Sequence, residues 1–248
     1  MHERSACAAL ILAAGEGTRM KSNLAKVLHP VAGKAMIMWV LEAVRSVSPE
    51  RVVVVIGHQA DAVRRELEGE NVEFVVQAPR LGTAHAALVA EERFTGFSGT
   101  IVVLNGDTPL LRAATLARFI AYHRAEGDSA TVLSAEIDDP AGYGRIVRDE
   151  RGAFLRITEH KDATGEVRAI REISSGLFCF ESADFFDALK KVGRRNVQGE
   201  YYITDVMEIL RGEGCRAGVY LCDQRDEVLG INTVEQLEAA ERLMTAHG

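Results

Sequence analysis

A chain of 248 residues with 47% hydrophobic and 26% charged content holds enough apolar material for one large core. Its formal net charge of −7 withholds the basic face that nucleic acid or an anionic membrane demands, so neither is an expected partner. No apolar run nears the ~18 residues that span a bilayer, and residues 1–6 lack the order of a signal peptide, which makes a cytoplasmic location the expectation.

In chain order, residues 7–12 form a continuous apolar run of the kind that becomes a strand buried on both faces. Ala13, Ala14, Gly15 and Gly17 follow as small residues that let backbone N–H groups approach a ligand, and Arg19 and Lys26 supply permanent positive charge. Neither G-x-x-x-x-G-K-[ST] nor a complete G-x-G-x-x-G is present, because Met20 stands where both patterns, counted from Gly15, need a glycine. On these residues alone the loop binds phosphate or is an ordinary strand-to-loop turn with solvated cations. Residues 35–47 carry Met36, Val40, Val44 and Val47 at helical spacing, which places Met36 and Trp39 in the core. A strand over 51–56, a helix over 61–67 and a strand over 72–77 begin a β-α-β alternation, whose ligand crevice lies beyond the strand carboxyl ends. The third strand delivers Gln77, Gly82 and Thr83 to a loop before a helix over 84–92, with Thr83 at the N-cap. The Gln77 amide offers a donor and an acceptor to a base edge, or is simply solvated. His85 reads as a packing residue.

An apolar strand over 101–104 runs into Asn105-Gly106-Asp107. A carboxylate there caps the turn or holds Mg²⁺, a hard ion that takes one or two protein oxygens and fills its shell with water and phosphate. Beyond a helix over 115–124 and a strand over 129–137 the texture shortens to extended pieces at 145–148, 154–159 and 176–181, the first two joined by a turn over 149–152. Tyr201 and Tyr202 are assigned to walls and packing, and Thr204 to the cap of a helix ending at Leu210. After a strand over 217–221, Thr233-x-x-Gln236 is a capping box for a helix to the C-terminus, and Asn232 belongs to that cap or to a metal. Cys7, Cys179, Cys215 and Cys222 form no C-x-x-C pair and read as packed thiols, not a zinc site.

Several stretches together carry a resemblance. L-A-A-G-E-G-T-R-M (12–20), A-K-V-L-H-P-V-A-G-K-A-M (25–36), G-Y-G-R (142–145), T-E-H-K-D-A (158–163), E-I-S-S-G (172–176), Q-G-E-Y-Y-I-T-D (198–205) and G-I-N (230–232) resemble the sugar-1-phosphate nucleotidylyltransferase family, and in it the GlmU-type N-acetylglucosamine-1-phosphate uridylyltransferase domains. The resemblance implies an α/β, Rossmann-like, glycosyltransferase-A-like fold of three layers with a mostly parallel central sheet and a sugar-binding subdomain. It implies Mg²⁺-dependent transfer of UMP from UTP to N-acetylglucosamine 1-phosphate, giving UDP-N-acetylglucosamine and pyrophosphate by in-line displacement. Arg19 and Lys26 are then catalytic; Leu12, Ala13, Ala14, Gly15, Gly17, Gln77, Gly82 and Thr83 bind nucleotide; Asn105, Gly106, Gly144, Glu159 and Ser174 bind sugar; Asp107 and Asn232 hold the metal. The expected organisation is one domain over 1–248, with a nucleotide-binding half at about 1–138, a sugar-binding half at 139–228, and the metal-ligand Asn with the last helix at 229–248. Two residues depart from the family pattern: Ala25 stands where Pro is usual, and Ser174 where Asn is usual. Hexapeptide repeats are absent from the sequence, so neither the β-helix acetyltransferase activity nor trimerisation through it is expected. A different sugar phosphate or NTP, and a nucleotide-binding regulatory module, are the rival readings.

Overall fold

The computed structural model describes residues 6–20 and 22–246; the leader reading on residues 1–6, apart from Ala6, and the last two residues of the predicted C-terminal helix lie outside them. The elements are β1 (Cys7–Ala13), β2 (Pro30–Val31), β3 (Lys34–Ala35), α1 (Met36–Arg45), β4 (Arg51–Ile56), α2 (Ala60–Glu66), β5 (Glu73–Val76), α3 (Thr83–Leu88), β6 (Thr100–Asn105), α4 (Ala113–Glu126), β7 (Ala130–Glu136), β8 (Gly144–Arg148), β9 (Phe154–Thr158), α5 (Gly165–Ala169), β10 (Glu172–Glu181), α6 (Ser182–Leu189), α7 (Asp205–Gly212), β11 (Ala217–Leu221) and α8 (Val234–Ala246).

Among the described residues, nine strands form one sheet along the path β11-β7-β10-β6-β1-β4-β5, with the β8–β9 hairpin attached through β8 to β10. The block β5-β4-β1-β6 is parallel, β11 is parallel to β7, and β10 runs antiparallel to both β6 and β7. The sheet is therefore mixed, with a parallel block β6-β1-β4-β5 on one side of the antiparallel β10. β1 sits between β4, which follows it, and β6, which comes after a further crossover, so the strand order reverses at the carboxyl ends of β1 and β6. Ligand crevices form at such reversals.

Alternation of side chains along β1 makes the three layers. Cys7, Ala9, Ile11 and Ala13 join the core formed with α1, α2 and α4, whereas Ala8 and Leu10 join the core formed with α3, α6 and α7. Cys7, Cys179 and Cys222 are buried, as expected of packed thiols.

The outcome differs from expectation at several points. The helix expected over 84–92 ends at Leu88, and a 3-10 turn follows at Glu91–Phe94. The strand expected from 176 begins at Glu172, with a bulge between Ser174 and Phe178. Gly82, not Thr83, precedes α3, and Thr83 Oγ1 accepts from the Ile203 N–H at 2.9 Å. Thr204 precedes α7 without capping it and instead donates to Glu159 Oε1 at 3.0 Å. Trp39 is only half-buried: it lies beside a surface cleft of about 660 Å³, donates its indole N–H to the Val31 carbonyl, and carries the Lys34 ammonium 3.4 Å above its ring. The 149–152 turn and the Thr233–Gln236 box form as read, the latter with Gln236 N–H on Thr233 Oγ1 at 3.3 Å and Thr233 N–H on Gln236 Oε1 at 3.2 Å.

Candidate active site

Two cavities meet at the carboxyl ends of β1 and β6. One, of about 440 Å³, runs from Leu12, Ala13, Ala14 and Gly15 past Lys26 to Gln77, Gly82 and Thr83. The other, of about 180 Å³, is bounded by Gly144, Glu159, Ser174 and Asn232. Thr83, Asn105 and Asp107 line both, so Asp107 stands at their junction.

Asp107 is placed there by backbone pairing. Gly106 N–H extends the ladder to the Leu12 carbonyl at 2.9 Å, and Ile231 N–H donates to the Asp107 carbonyl at 2.9 Å, which lays the Gly230–Asn232 turn beside it. Asn232 Nδ2 donates to the Gly230 carbonyl at 3.0 Å, and this fixes the amide so that Oδ1 faces inward. Lys26 Nζ then donates to Asn232 Oδ1 at 2.7 Å and to Asp107 Oδ2, and Arg19 Nη2 donates to Asn232 Oδ1 at 2.7 Å. One carboxylate and one amide oxygen thus converge on the Lys26 ammonium, with the Arg19 guanidinium also on the amide oxygen. Such a donor pair fits Mg²⁺, which demands only one or two protein oxygens. No three His, Cys, Asp or Glu side chains converge among the described residues, so an ion held here would draw its other oxygens from water and phosphate. Tyr143 hydroxyl donates to the Gly230 carbonyl at 3.3 Å, and burial together with the Asp107 charge pushes its pKa up to about 12, which keeps it a donor.

The Lys26 backbone is held from two sides. Gly17 has φ +67°, and a Cβ there would lie 2.6 Å from Lys26 Cβ, so glycine is required. On the other side Ala25, 1% exposed, donates its N–H to Gln59 Oε1 at 2.8 Å. Leaving that buried N–H without a partner costs about 1–3 kcal/mol. Gln59 itself takes φ 51° and ψ 40°, a left-handed conformation that costs a non-glycine residue about 1–2 kcal/mol.

In the larger cavity, Gln77 is 5% exposed, and its Nε2 lies 2.9 Å from the Gly82 carbonyl and 3.1 Å from His85 Nδ1. Burial lowers the His85 pKa, which favours the neutral ring, and its Nδ1 accepts because the Gln77 amide nitrogen can only donate. Both amide hydrogens are consequently used, and only Oε1 is left to meet a ligand. The amide reads as an acceptor, where the sequence suggested donor and acceptor together. Arg80 and Glu16, paired at 3.0 Å, add charges to this cavity that the sequence reading did not single out; an exposed ion pair between two loops carries no local pattern.

In the smaller cavity, Glu159 accepts from Thr204, and its burial raises its pKa above the ordinary carboxylate range. Gly144 allows this approach: a Cβ there would come within 2.9 Å of Ile157 and 3.6 Å of both Glu159 oxygens. Ser174 is buried, with its Oγ accepting from Gly176 N–H at 3.3 Å. Gly106 faces away from the junction, packed against Val27 and Leu12. Arg19, exposed, lines a third cavity of about 430 Å³ with Glu159 and Tyr202. The Tyr202 hydroxyl is buried beside Asp162, and Thr204 and Tyr202 are polar groups beside the site that the sequence reading assigned to a cap and to packing.

Known proteins share this chain's family and fold. Residues 9–175 match the family described as the MobA-like NTP transferase domain. The bifunctional protein GlmU of Lactobacillus delbrueckii subsp. bulgaricus is 49% identical over 235 residues, which is 95% of this chain and 51% of that protein. GlmU of Halalkalibacterium halodurans is 49% identical over 236 residues, covering 95% and 52% respectively. The chain spans about half the length of the curated relatives it matches. A Bacillus anthracis protein assigned as a glucose-1-phosphate thymidylyltransferase, solved with sucrose, superposes with a TM-score of 0.75 at 22% identity, covering 96% of this chain and 95% of its own, and shares the fold. The resemblance read in the motifs therefore holds, and the chain belongs to the MobA-like NTP transferase domain family.

Proposed function

We propose that the chain transfers UMP from UTP to N-acetylglucosamine 1-phosphate and releases pyrophosphate, in a reaction that requires Mg²⁺. The observation that carries this reading is the junction: two cavities, one behind a glycine loop and one around a buried carboxylate, share Asp107. The larger holds UTP, with Leu12 to Gly15 against the phosphates. Gln77 Oε1 accepts from the N3–H of uracil, a donor that cytosine lacks. Gly82 and Thr83 complete the base side. The smaller cavity holds the sugar, with Asn105, Gly144, Glu159 and Ser174 around it. Gly17 and Gly106 act as spacers that let Lys26 and Asp107 reach the junction.

The sugar phosphate is already an anion, so no side chain need deprotonate it, and catalysis rests on alignment and charge neutralisation. Lys26 stabilises charge at the α-phosphate during in-line attack. Arg19 neutralises the departing pyrophosphate. Asp107 and Asn232 would hold Mg²⁺, which when bound offsets charge on both reacting phosphates. Matches of 47–49% identity to GlmU proteins over nearly the whole chain support this reading, and charged substrates of this kind fit a cytoplasmic location. We read the chain as one unit, 1–138 serving the nucleotide and 139–228 the sugar. Ser174 favours keeping a second acceptor in view: its short hydroxyl is turned to Gly176, which leaves the acceptor's 2-substituent without a long polar partner there.

Pyrophosphate release measured with Mg²⁺, each NTP and a panel of sugar 1-phosphates tests the assignment. UTP with N-acetylglucosamine 1-phosphate should give the highest kcat/KM. Preference for glucose 1-phosphate would select the second acceptor, and no release with any pair would overturn the enzymatic reading.

A further inference from the structure

Lys26 reaches the junction from a loop that has little regular structure to hold it. Ala25 has φ −54° and ψ 136°, an extended backbone just before a single 3-10 turn at Lys26–Leu28. The Gln59 side chain spans this loop. Its Oε1 takes the Ala25 N–H at 2.8 Å, and its Nε2 donates to the Asn23 carbonyl. One amide therefore grips both ends of the segment leading into Lys26, with donor and acceptor both engaged.

Gln59 stands at the residue before α2, where a polar side chain ordinarily turns inward to cap its own helix, and no such cap bond forms. The amide reaches out to a loop 34 residues upstream. Left-handed conformations in non-glycine residues persist where the surroundings over-determine them, and this one is fixed by two bonds outside its own element. Its neighbour Gly57 is pressed against Ala14 of the glycine loop, so Gln59 is anchored to the same wall of the site that it serves.

We infer that Gln59 is a positioning residue for Lys26: by clamping residues 23–25 it sets where the lysine backbone starts and hence where the ammonium ends. This rests on the reading of Lys26 as the group that stabilises charge at the α-phosphate. A lysine has four rotatable side-chain bonds, so only a fixed Cα keeps its charge within the narrow range that alignment requires.

The φ of Ala25 suggests a decisive experiment, because −54° lies within the range that proline imposes. Proline at 25 carries no N–H, so it removes the donor that loss of Gln59 would orphan, stiffens the loop, and takes the room the glutamine amide vacates. Wild type, Q59A and A25P/Q59A are compared by amide exchange across residues 22–28 and by steady-state pyrophosphate release, with K26A as reference. For Q59A the expectation is roughly tenfold faster exchange and a kcat roughly tenfold lower, with nucleotide KM within about twofold. A25P/Q59A should recover both. Exchange in Q59A equal to wild type overturns the clamp, whether or not the protein turns over any substrate. Faster exchange with kcat unchanged, in a protein that K26A inactivates, overturns the positioning role alone. Loss of kcat that A25P/Q59A fails to recover overturns it too, as the mark of a general structural defect. If wild type releases no pyrophosphate, the functional reading falls, and the exchange data still decide the clamp.

Discussion

Lys26 occupies the position where a divalent cation would bind, because its ammonium touches both Asp107 and Asn232. On the proposed function, lysine and metal would compete for the same two oxygens, and a metal that took them would free the lysine to turn toward phosphate. K26A should lower kcat by about two to three orders of magnitude while changing nucleotide KM far less, the pattern of a charge that acts in the transition state. Equal losses in kcat and affinity would sink that role. The same variant should bind Mn²⁺ more tightly than wild type in the absence of nucleotide, as read by electron paramagnetic resonance. At this scale the sequence was informative where a motif carries its own geometry: Asp107 at the end of an apolar strand and Asn232 in Gly-Ile-Asn could be picked out and do meet. It was silent on Gln59 and on the orientation of Gln77. Both depend on partners far along the chain, and no local spacing announces that His85 and the Gly82 carbonyl will use up an amide's two hydrogens.

Among elements, α7 shows a conflict between local preference and burial. Asp205 opens the helix, where its negative charge suits the helix dipole. Burial, with Glu208 and Asp162 nearby, nevertheless pushes its pKa up to about 6 from 3.8, so the cost of enclosing the charge outweighs the dipole. The folded state then holds a proton that the unfolded chain has released between about pH 4 and 6. Stability contributed by this group falls as pH rises through that window and stays low above it. D205N should raise the thermal midpoint at pH 7.5 and flatten its decline between pH 4 and 6; an unchanged profile would show that the carboxylate is adequately solvated. The strands of the parallel block were legible because continuous β-branched runs such as Arg51–Ile56 have one reading. The start of β10 was obscured by Ser174, Ser175 and Gly176, whose polarity belongs to a cavity wall and not to a loop. The helix α6 was hidden because it starts at Ser182, directly after the last residue of β10, with no loop to mark the boundary.

In the whole molecule, the walls of the larger and the smaller cavity are stitched together away from Asp107 and Asn232. Tyr201 N–H donates to the Leu81 carbonyl at 2.8 Å, Ala84 N–H returns to the Tyr201 carbonyl at 2.9 Å, and Ile203 N–H meets Thr83 Oγ1. Gly82 sits inside this seam with φ +114°, and a Cβ there would lie 2.4 Å from the Tyr201 carbonyl oxygen. G82A should therefore weaken both substrates, raising KM for UTP and for the sugar phosphate, although position 82 borders only the nucleotide cavity; a change confined to UTP would mean the seam gives way without transmitting strain. Thr204, one residue beyond the seam, holds the carboxylate of the sugar cavity. Occupancy of one pocket should therefore restrain the chain that builds the other, and linkage would make the effect reciprocal. The two substrates should show heterotropic cooperativity, each sharpening the affinity for its partner by the same factor, with the peptide bonds of residues 81–84 and 201–203 as the conduit.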